Sequence, residues 1–109
     1  MRPTWSEALI EQYAELPAGR GEELEREARL RIERAERWLA ARPREPKLLL
    51  ALGRLCQQAG LWGKARDYLE ASLAFESSRA AHLALARLAD REGRTEEAER
   101  HHRLGAELP

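Results

Sequence analysis

The chain has 109 residues, which fits a single domain with one hydrophobic core, and it has no apolar run of the roughly 18 to 20 residues needed to cross a bilayer. Its 19 basic and 19 acidic side chains balance to a formal net charge of zero, which argues against nucleic acid or an anionic membrane surface as a partner. The one cysteine, Cys56, cannot form an internal disulfide, so the composition predicts a soluble domain of a reducing compartment.

Hydrophobic periodicity predicts six helices in chain order, and no segment has the pattern of a strand. A hydroxyl and a carboxylate three residues apart, Thr4 and Glu7, predict a capped helix over residues 5–16. Prolines, glycines and a pair of serines then separate helices predicted over residues 22–42, 46–59, 61–75, 79–92 and from residue 95 onward. The connections are short, so consecutive helices are expected to pack antiparallel as helical hairpins.

An internal repeat with an offset of 33 residues organises the second half of the chain. Residues 51–60 align without gaps to residues 84–93, with identity at the alanine, both leucines, the arginine and the glycine. The pattern resembles the tetratricopeptide repeat, whose positions are held in the first copy by Leu49, Leu52, Gly53, Cys56, Ala65 and Leu69, and in the second by His82, Leu85, Ala86, Ala89, Ala98 and His102. This resemblance implies an all-α fold, a right-handed α-solenoid of about three antiparallel hairpins. One domain over residues 1–109 would comprise an atypical hairpin at 1–45 and repeats at 46–78 and 79–109.

A narrower resemblance is carried by residues 35–39, 48–56 and 61–73, above all by Leu61-Trp62-Gly63-Lys64-Ala65. These segments resemble the C-terminal repeat region of the HemY-type haem-biosynthesis proteins, over about residues 35 to 104. The resemblance implies a bacterial inner-membrane protein whose repeats lie on the cytoplasmic face and which is linked to porphyrin synthesis. The membrane anchor of that family is not in this sequence, so the chain is expected to be a soluble piece of such a protein or a short relative.

Helical repeats of this kind bind peptides in the groove lined by the first helix of each pair. Repeat numbering places eight side chains toward that groove: Lys47, Leu50, Arg54, Gln57, Leu83, Arg87, Asp90 and Arg91. Arg54 and Arg87 are one repeat apart and are predicted either to present two guanidinium groups to carboxylates of a partner or to form a solvated arginine ladder. The chain has no asparagine, so it lacks the carboxylate clamp of chaperone-binding repeats.

The histidines offer a second chemistry. His82 and His102 occupy positions where the repeat buries an aromatic ring, so they are expected either to pack in the core or to face each other and ligate haem iron or zinc. The four ligands of a structural zinc site are missing, and neither a resident cofactor nor a metal is predicted. No nucleophile motif, phosphate-binding loop or buried carboxylate pair is present, so the chain is predicted not to be an enzyme.

The sequence therefore predicts a protein-interaction or scaffold module that binds a protein or peptide, with other haem-biosynthesis proteins as candidates. The alternative is direct binding or delivery of haem or another tetrapyrrole through His82 and His102. A third possibility is self-association through the last helix, on a face formed by Ala98, Gly105 and Leu108.

Overall fold

The computed structural model describes Ile10, Tyr13, Ala14 and residues 21–109. The three earliest of these residues are helical, and the rest of the helix predicted at 5–16 lies outside the described residues. From residue 21 onward the chain forms five α-helices: α1 (Glu22–Ala41), α2 (Pro46–Gln58), α3 (Trp62–Phe75), α4 (Arg79–Arg91) and α5 (Thr95–Ala106). The described residues contain no strand, so the all-α class is confirmed. The helices predicted from residue 22 onward are confirmed to within one residue at each bound given by the sequence.

Local chemistry explains where the helices begin. Pro46 stands at the start of α2, where its fixed φ suits the helix and its missing N–H leaves no bond unmade. Ser78 precedes α4, and its Oγ accepts a hydrogen bond from the Ala81 amide at 3.1 Å. That bond satisfies one of the free amides of the first turn.

The same glycine turn ends both α2 and α4. Gly60 and Gly93 each have a φ of 76°, a left-handed conformation that a residue with a Cβ adopts only at a cost. The Leu61 amide donates to the carbonyl of Cys56 at 2.8 Å, and the Arg94 amide donates to the carbonyl of Ala89 at 2.8 Å. These backbone bonds are those of a Schellman motif, so both helices are closed in the same way.

Helices α2 and α3 form one antiparallel hairpin, and α4 and α5 form another; these two pairs have the most extensive contacts. Near the end of α3, Ser72 Oγ donates to the carbonyl of Pro46 at the start of α2, at 2.8 Å. In the second hairpin, Arg79 at the start of α4 donates to the carbonyl of Leu108 beyond α5, at 2.7 Å. The first helices of the hairpins start at 46 and 79, and the second helices at 62 and 95, so the sequence repeat of 33 is also a structural repeat.

The buried core runs through successive helices. One cluster joins α1, α2 and α3 and contains Ala28, Ile32, Ala35, Leu48, Leu52, Leu55, Cys56, Ala59 and Ala65. A second cluster joins α3 to α4 and contains Leu69, Ala84, Leu85 and Leu88, with Leu50, Trp62 and Leu73 at its edge. The alanines let neighbouring helices approach closely, and the leucines supply most of the apolar area removed from water.

The last helix does not present the apolar face that the sequence predicted. Ala98 is buried, and Gly105 is packed so closely that a Cβ on it would come within 3.2 Å of His82 Cβ. Both residues form the seam between α4 and α5, because the small residues of α5 are used to bring the two helices together. Leu108 is half-buried beyond the end of the helix. Two of the three residues of the predicted self-association face, Ala98 and Gly105, are therefore not exposed as the sequence predicted.

None of the helices in residues 21–109 combines the length and the hydropathy that a membrane-spanning segment needs.

Candidate functional site

Four of the predicted groove residues, Lys47, Leu50, Arg54 and Gln57, lie at intervals of three or four along α2. Leu50 packs against the apolar cluster shared by α3 and α4. Gln57 Nε2 donates to the carbonyl of Ala84 in α4 at 3.1 Å. This row therefore lies beside α4, and all four of its side chains are half-buried.

The corresponding row on α4 is open. Leu83, Arg87 and Asp90 are the counterparts of Leu50, Arg54 and Gln57 one repeat later, and all three are exposed. Arg91, the fourth predicted residue of this helix, is engaged elsewhere: its guanidinium carbon lies 3.8 Å from the ring centroid of Trp62 at the start of α3. Arg91 thus stacks on an aromatic ring of the preceding hairpin.

Arg54 and Arg87 differ in surroundings despite their equivalent positions. Arg54 is half-buried and lines a cleft together with Lys47 and Glu76. Arg87 is exposed on the open row of α4. The two guanidinium groups that were predicted to lie in parallel therefore have different surroundings: Arg54 is in a sheltered cleft, and Arg87 is at the open surface.

A cleft of about 100 Å³ lies between the first hairpin and the start of α4. It is lined by Pro46, Lys47, Leu50, Arg54, Ser72, Glu76, Ser78 and Ala80. The last two of these residues belong to the start of the second hairpin, so the second hairpin partly fills the cleft formed by the first.

A larger cleft, of about 370 Å³, lies on the second hairpin and is lined by Arg79, Leu83, His101, His102, Gly105 and Ala106. Three of its lining positions, Arg79, Leu83 and Gly105, are the repeat counterparts of Pro46, Leu50 and Ser72 in the smaller cleft. The two clefts therefore occupy the same place in successive hairpins. In the described part of the chain, no helix covers the second one.

Two arginines of α4 lie along one side of the open cleft. Arg79 forms part of its wall, and Arg87 stands one helical turn beyond Leu83 on the exposed row. His102 Nε2 lies 3.6 Å from Asp90 Oδ2, the acidic group of that row. Arg79 in the wall and Arg87 on the row are two arginines against the one aspartate, Asp90, so this side of the cleft favours an occupant that carries carboxylates.

The structure pairs His82 with His101. Their Nδ1 atoms are 3.0 Å apart, with ring centroids separated by 5.3 Å and planes inclined by 37°. Burial lowers the pKa of His82, and burial, the neighbouring His82 and Arg100 lower the pKa of His101. Both rings are therefore neutral near pH 7, and one nitrogen donates while the other accepts.

The predicted pairing of His82 with His102, and the core position of His102, are wrong. His102 is exposed, whereas its counterpart one repeat earlier, Leu69, is fully buried. Leu69 is buried between Gly53 of α2 and the apolar face of α4. No described helix packs over the second hairpin in that way, and His102 lies at the surface.

Sequence reasoning missed a charged cluster that joins the two hairpins. Arg66 of α3 donates to Glu92, in the turn after α4, and its Nη1 lies 2.9 Å from Glu97 Oε2 in α5. Only 16% of the Arg66 side chain and 17% of the Glu97 side chain is exposed. Glutamate and arginine occur throughout the sequence, so nothing in it marks these three residues as partners.

A second polar cluster joins α1 to α3. Glu36 accepts hydrogen bonds from the Tyr68 hydroxyl and, at 2.9 Å, from Lys64 Nζ. Burial raises the pKa of Glu36, but the two hydrogen bonds outweigh it, so the pKa of this carboxyl lies below its usual value. Nearby, burial raises the pKa of the Cys56 thiol to about 11, which keeps it protonated and unreactive.

Among residues 10, 13, 14 and 21–109, no group of three or more histidine, cysteine, aspartate or glutamate side chains is placed to hold a metal ion. Comparisons of the chain with protein-family models, curated proteins and solved structures give no match. The resemblance to the HemY-type repeat region is therefore still a hypothesis, and the functional argument depends on the geometry of the clefts.

Proposed function

We propose that the chain is a tetratricopeptide-type interaction module that binds a helical segment of a partner protein in the open cleft of the second hairpin. In this proposal the hairpins form a right-handed stack, and the partner helix continues it. The observation that carries the proposal is the equivalence of the two clefts. In the first hairpin, the following helix α4 packs at this place. In the second hairpin, the equivalent cleft is open.

The first hairpin indicates what kind of helix suits such a cleft. There, Ala84 and Leu88 of α4 belong to the cluster edged by Leu50 and Leu73. Small and medium apolar residues four apart lie on one face of a helix, so they fit against a narrow surface. The partner helix should present a similar alanine and leucine stripe to Leu83 and Ala106.

Charge defines the partner further. Arg79 and Arg87 border the open surface, so carboxylates beside the apolar stripe of the partner would meet guanidinium groups. These contacts would lie at the rim, where they affect partner choice and association rate more than affinity. The module is thus proposed to select an amphipathic helix with an acidic flank.

A displayed library of helical peptides tests this proposal. The library keeps an alanine and leucine stripe copied from α4 and randomises the flanking positions, and enriched peptides are labelled and titrated against the purified protein by fluorescence anisotropy. We expect enrichment of aspartate and glutamate. The Leu83→Glu variant should lose about tenfold or more in affinity, because it places a charge in the apolar centre of the interface.

Two further variants separate a specific site from general charge attraction. Arg87→Glu should weaken binding of the acidic peptides and lower the association rate, whereas Arg26→Glu makes the same charge change on the exposed face of α1 and should leave binding unchanged. Equal losses of affinity in both arginine variants would contradict the proposed binding site in the open cleft. Saturable binding that Leu83→Glu leaves unchanged would contradict it as well. Circular dichroism checks that each variant keeps its helical content.

The link to haem biosynthesis is a second proposal, and its support is the resemblance over residues 35–104. In it the partner is another haem-biosynthesis protein, or the module itself binds or delivers a tetrapyrrole. Because His82 is hydrogen-bonded to His101, His102 is the imidazole left for this role. His102 lines the open cleft, which gives a planar ligand access to it. Haem titration followed by absorbance tests the direct version: a spectrum that is the same in wild type and in His102→Ala rules it out.

A further inference from the structure

The interface between the two hairpins shows the direction in which a helix packs on the end of a hairpin. Arg91, at the end of α4, stacks on Trp62 at the start of α3. The start of α4 shares the smaller cleft with Ser72, near the end of α3, so α4 runs antiparallel to the helix that supports it. A helix that packs on α5 in the same way has its first turn near Ala106 and its last turn near Thr95.

One charged position changes sign between the two hairpins. In the first hairpin, Arg66 of α3 donates to Glu92, which directly follows the last residue of α4. One repeat later the position of Arg66 is held by Glu99, which is exposed on α5. Glu99 lies three residues before His102, so it shares a helical face with a residue that lines the open cleft. A carboxylate therefore stands where the first hairpin presents a guanidinium to the end of the next helix.

The remaining charges of the open cleft lie on its other side and at its other end. Arg79 and Arg87 lie on α4, whereas Glu99 lies on α5. Arg79 lines the cleft together with Ala106, at the end remote from Glu99. One donor of Arg79 is used by the Leu108 carbonyl, at 2.7 Å, and the guanidinium has four others. The cleft thus presents a cation near the first turn of an incoming helix and a carboxylate near its last turn.

We propose that the partner helix binds the open cleft antiparallel to α5, with arginine or lysine in its last turn against Glu99 and with carboxylates in its first turn against Arg79. This inference rests on the proposed function, because it specifies the direction and the charge order of the helix that is proposed to bind there. Glu99 is then the residue that determines the direction of binding.

The same charge order is favourable for the partner helix itself. Carboxylates near the N-terminus and cations near the C-terminus of a helix interact favourably with its dipole. A helix of this kind that bound in the reverse direction would place its cations beside Arg79 and its carboxylates beside Glu99. Like charges at both ends disfavour that arrangement, so the cleft distinguishes the two directions.

Two synthetic helical peptides test the direction of binding. Both carry the alanine and leucine stripe of α4 and glutamates in the first turn; one has arginines in its last turn, and the other has glutamines there. Each is titrated by fluorescence anisotropy at low ionic strength, where exposed charge pairs are least screened. We expect Glu99→Arg to weaken the arginine peptide about fivefold and to change the affinity of the glutamine peptide less than twofold.

Glu33→Arg is the matched control, because it makes the same charge change on the exposed face of α1. It should change the affinity of either peptide less than twofold. A loss that is confined to the arginine peptide and to Glu99→Arg supports the proposal. Circular dichroism checks that each variant keeps its helical content.

The outcomes separate the direction of binding from the location of the site. If Glu99→Arg weakens both peptides equally, or strengthens the arginine peptide, the last turn does not face Glu99 and the proposed direction is wrong. In either case, a loss of both peptides in Leu83→Glu would still support the open cleft as the binding site. If neither peptide binds saturably to wild type, both proposals are wrong.

Discussion

Gly53 of α2 faces Leu69 of α3 so closely that a Cβ built on the glycine would come within 2.6 Å of the leucine side chain. The carbonyl oxygen of Ala65 lies 3.3 Å from the same point, so the new atom would meet the backbone of α3 as well. Leu69 is fully buried and has little freedom to move aside. The glycine is therefore required by the close approach of the two helices in the first hairpin.

We expect Gly53→Ala to destabilise the protein by about 1 to 2 kcal/mol, because overpacking outweighs the gain in helix propensity. Urea unfolding followed by circular dichroism measures the change. Gly63→Ala is the matched control: this helical glycine has nothing within 4 Å of the added Cβ, so its replacement should be neutral or stabilise by up to about 0.5 kcal/mol. Equal effects at the two glycines would contradict the packing argument.

Arg66 connects the two hairpins, and we expect Arg66→Ala to cost about 1 to 2 kcal/mol of unfolding free energy. The substitution removes the closest cation from Glu92 and from the sheltered Glu97, and it leaves only Arg94, at 3.7 and 3.9 Å from them. Thermal and urea unfolding measure the loss. Arg29→Ala removes an ion pair on α1 whose side chains are 60% and 50% exposed, and it should cost less than about 0.5 kcal/mol. A similar loss in both variants would show that Arg66 contributes no more than an ordinary surface pair.

Glu36 gives the stability a defined dependence on acid. Its folded pKa lies below the unfolded value of 4.5, so its contribution is fully present above pH 4.5 and disappears as the pH falls through the folded pKa. We expect Glu36→Gln to cost about 1 kcal/mol at pH 7, where the carboxylate accepts from Tyr68 and Lys64, and to cost less at pH 3, which lies below the unfolded pKa. Unfolding experiments at both pH values measure the difference.

Glu33→Gln is the control for this pH dependence. Glu33 is exposed on the same helix one turn earlier, and its replacement should leave stability unchanged at both pH values. If Glu36→Gln and wild type differ equally at pH 7 and pH 3, the hydrogen bonds to the ionised carboxylate are not the source of the stabilisation.

The thiol of Cys56 should react only when the protein unfolds, because it is fully buried and its pKa is raised to about 11. Iodoacetamide labelling at pH 7.5, followed by mass spectrometry with increasing urea, should track the unfolding curve. Ser77→Cys adds an exposed thiol to the same chain as an internal reference. Labelling of both thiols at equal rates without urea would refute the prediction.

The helices were predictable because their ends have local causes. Pro46, Ser78, Gly60 and Gly93 mark starts and stops through their own backbone chemistry, and the apolar period between them defines the buried faces. The offset of 33 in the sequence became an offset of 33 in the helix bounds for the same reason. These are properties of residues close together in the chain.

The candidate site was predictable only in part, because it depends on neighbours from other helices. The rows of Leu50 and Leu83 follow from helical spacing, but their burial differs according to whether another helix covers them. His102 was assigned to the core from its repeat position, which buries a side chain only when a next helix is present. Arg66 and its two glutamates are brought together by packing alone, so no local pattern identifies them.

The turns at Gly60 and Gly93 make the same bend with backbone atoms alone, and this frees the side chain that follows each glycine. Leu61 packs into the first core cluster, whereas Arg94 approaches Glu92 and Glu97 at the surface. The path of the backbone through these turns therefore does not depend on which side chain follows the glycine. Hairpins of one shape can be joined in series while their outer surfaces diverge, and this separation lets a short chain combine one sheltered cleft with one accessible cleft.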